Sequence, residues 1–168
     1  MILVLSSGTN NRNGYIVGCN HIYYKGEDDY LTYIQHIQVD AFLRQLEFFK
    51  RKYPSYAVIY GGDFNTIPST LVYNYILSES TKLGFPLRSS YSHYNASDSK
   101  RNGEPDFTNY TQNFKDTLDY IFYEEKHLQP IELREIMSEK ELSSETALPN
   151  SVFSSDHICL QANFILNK

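Results

Sequence analysis

The stretch Gly61-Gly62-Asp63-Phe64-Asn65 does most to narrow the folds open to this chain. An apolar run from Tyr56 to Tyr60 precedes it and reads as a buried strand. Pro68 then opens a pattern in which Leu71, Val72, Tyr75 and Ile76 return at helical spacing. A strand therefore stops where a carboxylate and a carboxamide emerge. Open α/β sheets build their sites at the carboxyl ends of strands, and paired glycines let the backbone turn sharply or approach a ligand closely. Asp63 can hold a metal or a water at such a place, and Asn65 can donate to a phosphate oxygen. Taken alone, a turn whose side chains only satisfy backbone groups accounts for the stretch equally well. Residues further along the chain separate the two readings.

With 168 residues, 41% hydrophobic and 15% aromatic, the chain can bury one sizeable core, so a single domain over 1–168 is expected. Two cysteines, Cys19 and Cys159, sit in apolar runs and are too few for a disulfide framework; the expectation is buried, reduced thiols in an intracellular, cytoplasmic protein. No charged-then-apolar leader and no apolar run near ~18 residues is present, so neither signal peptide nor membrane span is expected. A net charge of -5 argues against nucleic acid held on a broad basic face. It leaves room for a nucleic-acid enzyme that works with divalent cations, because clustered carboxylates lower the count and the metal restores local positive charge.

In chain order, Ile2 to Leu5 is a short strand, a turn over 8–14 follows, and Tyr15 to Tyr24 completes a hairpin. Asp28 and Asp29 open a long helix in which Ile34, Ile37, Ala41, Phe42, Leu46 and Phe49 share a face, and Lys50-Arg51-Lys52 close it; both ends suit the helix dipole. Ser78 to Pro105 reads as a long polar surface excursion. Strands are expected at Phe107 to Thr111, Thr117 to Tyr123, Leu128 to Ile136 and Ile158 to Leu166. Strands interleaved with two helices make an α/β layer fold.

The polar candidates all lie at strand edges: His21, Asp63 with Asn65, Asp119, and Asp156 with His157. A histidine before an apolar run and a lone Ser-Asp-His are each compatible with purely structural roles. Asp119 interrupts the apolar run Leu118 to Phe122, where an unpaired carboxylate would be costly, so it requires a partner. His157 is the natural one, since a buried carboxylate orients an imidazole and favours its protonated form. Two carboxylates, an asparagine and two histidines suit metal-assisted hydrolysis of a phosphodiester.

Three segments, GGDFNTIPSTLVYNYI, FTNYTQNFKDTLDYIFY and LPNSVFSSDHICL, together resemble the endonuclease/exonuclease/phosphatase superfamily. Within it they are most similar to the Ccr4-type poly(A) deadenylases and their relatives, the 2′-phosphodiesterases, nocturnin and angel proteins. The resemblance implies the C-terminal half of a four-layer α/β sandwich of the DNase I-like fold, with a mixed, largely antiparallel sheet and flanking helices. It implies that Asp63 positions the attacking water, Asn65 and His21 contact the phosphate, Asp119 orients His157, Asp156 and Asp63 serve a Mg²⁺ or Mn²⁺ site, and Phe114 stacks on an adenine. Asn20 and Tyr24 stand where the family's histidine motif has Thr and Trp. The implied activity is 3′-exoribonuclease action on poly(A) with release of 5′-AMP. The alternatives are a 2′,5′- or 3′,5′-oligoadenylate phosphodiesterase and a catalytically incomplete fragment acting as an interaction module.

The family's metal-binding Glu belongs to a strand before the region corresponding to Ile2 and has no counterpart here; Gln45-Leu46-Glu47 lies in the long helix. The expectation is a partial domain that lacks its N-terminal half. The exposed apolar sheet face would then meet a second copy of the chain or the missing half. No leucine-rich repeat is present to dock a deadenylase-complex scaffold.

Overall fold

The computed structural model describes residues 1–7, 13–24, 29–94, 99–142 and 147–167. Most of the turn expected over 8–14, the helix start at Asp28, the centre of the polar segment from Ser78 and residues 143–146 lie outside them. Strands β1 (Ile2–Ser7), β2 (Asn13–His21), β3 (Ala57–Asp63), β4 (Leu87–Ser89) and β7 (Asp119–Glu124) form a sheet in the order β1-β2-β3-β7-β4. Only β2 and β3 run parallel; they are joined across helix α1 (Asp29–Lys52), and the other pairings are antiparallel. Helix α2 (Leu71–Lys82) follows β3, its first turn capped by the Thr70 hydroxyl, which accepts from the Tyr73 N–H. Beside the main sheet lie two small ones. One pairs β5 (Asn109–Tyr110) with β6 (Lys115–Asp116), the other β8 (Leu128–Leu133) with β9 (Ala162–Leu166). A short helix, α3 (Glu139–Leu142), lies between β8 and β9.

Side chains alternate across the sheet and give it two apolar faces. On one, Ile16, Val58, Tyr60 and Phe122 pack with Val39, Leu43 and Leu46 of α1 and Val72 and Ile76 of α2. Gly62 shows how closely the strands approach: its φ is +140°, and a Cβ there would lie 2.0 Å from the Asn20 carbonyl oxygen of β2. Only glycine fits. At the other end of β3, Lys50 turns inward and its ammonium donates to the Tyr56 carbonyl (2.7 Å) and to Glu124 Oε2 (2.9 Å). The same oxygen accepts the Val58 N–H, so a buried ion pair ties the end of α1 to β3 and β7.

The second face is only partly covered. Tyr123, Leu128 and Phe164 pack with Tyr15 and Ile59 at one end, beneath the β8–β9 hairpin. On the edge strand, Leu3 and Leu5 remain 44% and 48% exposed.

Three expectations need correction. The buried stripe of α1 runs through Gln35, Val39, Leu43, Leu46 and Lys50, whereas Ile37 is 51% exposed and Ala41 is exposed, because the helix is rotated to present two polar side chains inward. Cys19 and Cys159 are exposed, Cys19 because its strand position falls on the open face. The segment from Ser78 is no surface excursion. It finishes α2, pairs β4 with β7 and buries Phe85, Leu87, Tyr91 and Glu104. Burial pushes the Glu104 carboxyl up to about 7, and the Tyr73 hydroxyl donates to it at 2.7 Å. The strand expected over Leu128 to Ile136 is present but ends at Leu133, and it pairs with β9.

An apolar face of this kind drives association in water. Light scattering at micromolar concentration should give a mass above that of the monomer, and Leu3→Lys combined with Leu5→Lys should return it to the monomer. A monomer at every concentration would contradict this.

Candidate active site

Parallel pairing sets His21, the last residue of β2, beside Asp63, the last of β3; antiparallel pairing sets Asp63 opposite Asp119, the first of β7. Three strand ends thus bring an imidazole and two carboxylates to one edge. The fourth group comes from the far end of the chain. An isolated bridge between Asn109 and His157, with the Ile158 N–H donating to the Thr108 carbonyl, holds the His157 segment against β5.

His157 Nδ1 lies 2.8 Å from Asp119 Oδ2, and its Nε2 faces Asp63 Oδ2 at 3.8 Å. Bound to Asp119 and flanked by the charges of Asp63 and Asp156, the imidazole is held above its ordinary range near 6.5 despite its burial, so Nδ1–H donates to Asp119. Thr108, fully buried, fixes that carboxylate. Its hydroxyl accepts the N–H groups of Leu118 and Asp119, both at 3.0 Å, and its proton can go only to Asp119 Oδ2, at 2.7 Å.

Burial raises the Asp63 carboxyl, and the Asp119 charge adds to that; the Asn65 N–H, His157 and His21 pull the other way without cancelling it. The Asn65 N–H donates to Asp63 Oδ1 at 2.8 Å, and the Asn65 carboxamide donates to the Ile22 carbonyl at 2.8 Å. His21 is largely exposed, with Nε2 3.4 Å from Asp63 Oδ2. Asp156 accepts from the Asn109 carboxamide at 3.3 Å. A cavity of about 770 Å³ opens beside the cluster, lined by Asn65, Asn109, Phe114, Asp156 and His157 among others. Phe114 is 41% exposed on its wall.

Asp63, Asp119 and His157 offer ligand atoms all within 4.8 Å of one another. Two carboxylates at a place where burial already disfavours negative charge suit a divalent cation, and the imidazole beside them could join as a ligand only with Nε2 unprotonated. Asp156 is not one of these three; its carboxylate stands beside Asn109 on the cavity side. Thr108 and Asn109, both buried, were not singled out from sequence, although Phe107-Thr108-Asn109 begins one of the three segments quoted above.

The raised His157 makes a pH prediction. Its bond to Asp119 stabilises the fold fully below the ordinary histidine range, and that contribution is lost as pH rises through the higher folded value. An NMR titration should place the His157 midpoint above 6.5, and Asp119→Asn should lower it. An unchanged midpoint in the variant would remove Asp119 as the cause.

Comparison with known proteins places this geometry in a wider group. The chain is 31% identical over 173 residues to 2′,5′-phosphodiesterase 12 of Mus musculus, spanning 95% of this chain and 27% of that protein. It is 32% identical over 165 residues to the "Probable CCR4-Not complex 3′-5′-exoribonuclease subunit Ccr4" of Enterocytozoon bieneusi, spanning 93% of this chain and 34% of that protein. The human nocturnin catalytic domain superposes with a TM-score of 0.73 at 21% identity, over 98% of this chain and 51% of that one. ANGEL2, described as a 2′,3′-cyclic phosphatase, gives 0.71 at 21% identity, over 90% of this chain and 56% of that one. These likenesses establish the DNase I-like fold, and the chain spans about a third or less of the curated relatives and about half of the solved domains. Residues 5–157 match the Endonuclease/Exonuclease/phosphatase family, to which this chain therefore belongs.

Proposed function

We propose that the cluster at the ends of β2, β3 and β7 is a phosphodiesterase site acting on RNA, a 3′-exoribonuclease site that removes 5′-AMP from poly(A). The observation that carries this reading is the convergence of Asp63 with an Asp119-bound, protonation-prone His157 beside a cavity walled by Asn65 and Phe114. The Ccr4 relative, named a 3′-5′-exoribonuclease, supports it.

In this reading Asp63 is the base. A carboxylate raised above its usual range takes a proton from water more readily, and Oδ2, which the Asn65 carboxamide and His21 Nε2 each approach at 3.4 Å, is the oxygen that takes it. The water oxygen bonds to phosphorus, the bond from phosphorus to the leaving O3′ breaks, and that oxygen is protonated. His157, its Nδ1 committed to Asp119, presents Nε2–H to the phosphate oxygens, joined by Asn65 and His21. Phe114 offers a face to a base, worth about 1–3 kcal/mol with little sequence preference. Mg²⁺, or Mn²⁺ in its place, would be held by the carboxylates of Asp63 and Asp119, with Asp156 serving it through water, and would neutralise phosphate charge and lower the pKa of bound water.

A second reading, cleavage of 2′,5′-linked oligoadenylate at the same site, is favoured by the likeness to 2′,5′-phosphodiesterase 12 over 95% of the chain. One experiment tests both: incubation of 5′-labelled 3′,5′- and 2′,5′-linked oligoadenylates with the chain and with Asp63→Ala, in Mg²⁺ or chelator. Stepwise, metal-dependent shortening abolished in the variant is expected, and the faster linkage names the substrate. A folded chain that cleaves neither would leave the interaction-module reading.

A further inference from the structure

Asn65 has a backbone φ of 46°, in the left-handed region, where a side chain that is to meet a phosphate needs holding. Its N–H and carboxamide are bound to Asp63 and Ile22. Its carbonyl is bound by a residue of another element, Gln35 of α1, whose Nε2 donates to Asn65 O at 2.8 Å and to Tyr23 O at 3.0 Å. Both partners are carbonyls, so only the amide nitrogen fits, and it spends both hydrogens. Gln35 is 1% exposed, a polar residue in the buried stripe of an amphipathic helix. One turn on, Gln38 Oε1 accepts the Tyr23 N–H at 3.0 Å, while the Ile22 N–H donates to Asp63 O at 2.9 Å. The loops leaving β2 and β3 are thus fastened to each other and to α1. His21 immediately precedes one of them, and Asn65 belongs to the other.

We propose that Gln35 is a positioning residue of this site: by binding the carbonyls of Tyr23 and Asn65 together, it sets the separation of the two strand-end loops and so the placement of Asn65 and His21. The inference rests on the reading of those two residues as phosphate contacts. Gln35 touches no reacting atom. An apolar residue of the same size would leave two part-buried carbonyls without this donor, and the loops would separate to find water.

The test compares Gln35→Leu and Gln35→Glu with Val39→Ala, a buried change one turn along the same helix. Each variant is followed by NMR of the Asn65 carboxamide and the Ile22 amide and by kinetics on oligoadenylate. Gln35→Leu should shift the Asn65 carboxamide signals, speed exchange of the Ile22 N–H, and lower kcat about ten- to a hundredfold with KM little changed. Gln35→Glu should be as impaired at neutral pH and regain the Asn65 signals only in part as pH falls, because a protonated carboxyl has one hydrogen to donate where the amide spends two. Val39→Ala should lower Tm yet leave kcat and the Asn65 signals in place. Unmoved Asn65 signals in Gln35→Leu, or kinetics no different from those of Val39→Ala, would overturn the proposal. If the unmodified chain hydrolyses no nucleotide, the phosphodiesterase reading falls, and the NMR comparison still decides whether Gln35 positions Asn65.

Discussion

Antiparallel pairing of β3 with β7 places the carboxylates of Asp63 and Asp119 directly opposite each other at the sheet edge. Like charges facing across a strand pair destabilise it. The repulsion is absorbed by what surrounds it. Thr108 and His157 take up Asp119, the Asn65 N–H takes one oxygen of Asp63, and the imidazole of His157 stands between the two acids. Such a charge arrangement favours a cation or a proton entering there. Burial is the main cause of the raised Asp63 carboxyl and the Asp119 charge adds to it, while the raised His157 follows first from its bond to Asp119.

The rest of the molecule keeps those strand ends in place. Gly62 lets β2 and β3 approach so closely that His21 meets Asp63. At the far end of the same strands, the buried Lys50–Glu124 pair fastens α1, β3 and β7 together. Helix α1 therefore grips the sheet twice, by Lys50 below and by Gln35 above, with apolar packing between. The partly uncovered second face, with Leu3 and Leu5 open, fits a chain that spans about half of the solved domains it superposes on.

The strand ending at Asp63, the helix after Pro68, the first hairpin and the dependence of Asp119 on a partner were legible because each is local or follows from the cost of an unpaired buried charge. Hydrophobicity alone assigns Ile37 inward and Gln35 outward on α1, whereas two carbonyls, one from the loop after β2 and one from the loop after β3, draw the glutamine in. Thr108 and Asn109 escaped notice for a similar reason. A threonine hydroxyl acquires its role only when the residue before β5 comes to lie against the start of β7, a juxtaposition no periodicity encodes. The cysteines were placed by their apolar neighbours, yet Cys19 falls on the alternate face, the one left open.

The most direct measurement adds Mn²⁺ to isotopically labelled protein and follows paramagnetic broadening of the amide signals, in the unmodified chain and in Asp63→Asn. The predicted result is broadening centred on residues 63, 119 and 157, lost in the variant. Broadening spread over the exposed acidic groups of α3, or centred at the strand ends but unchanged by Asp63→Asn, would contradict the assignment of a cation and phosphate site to the ends of β3 and β7.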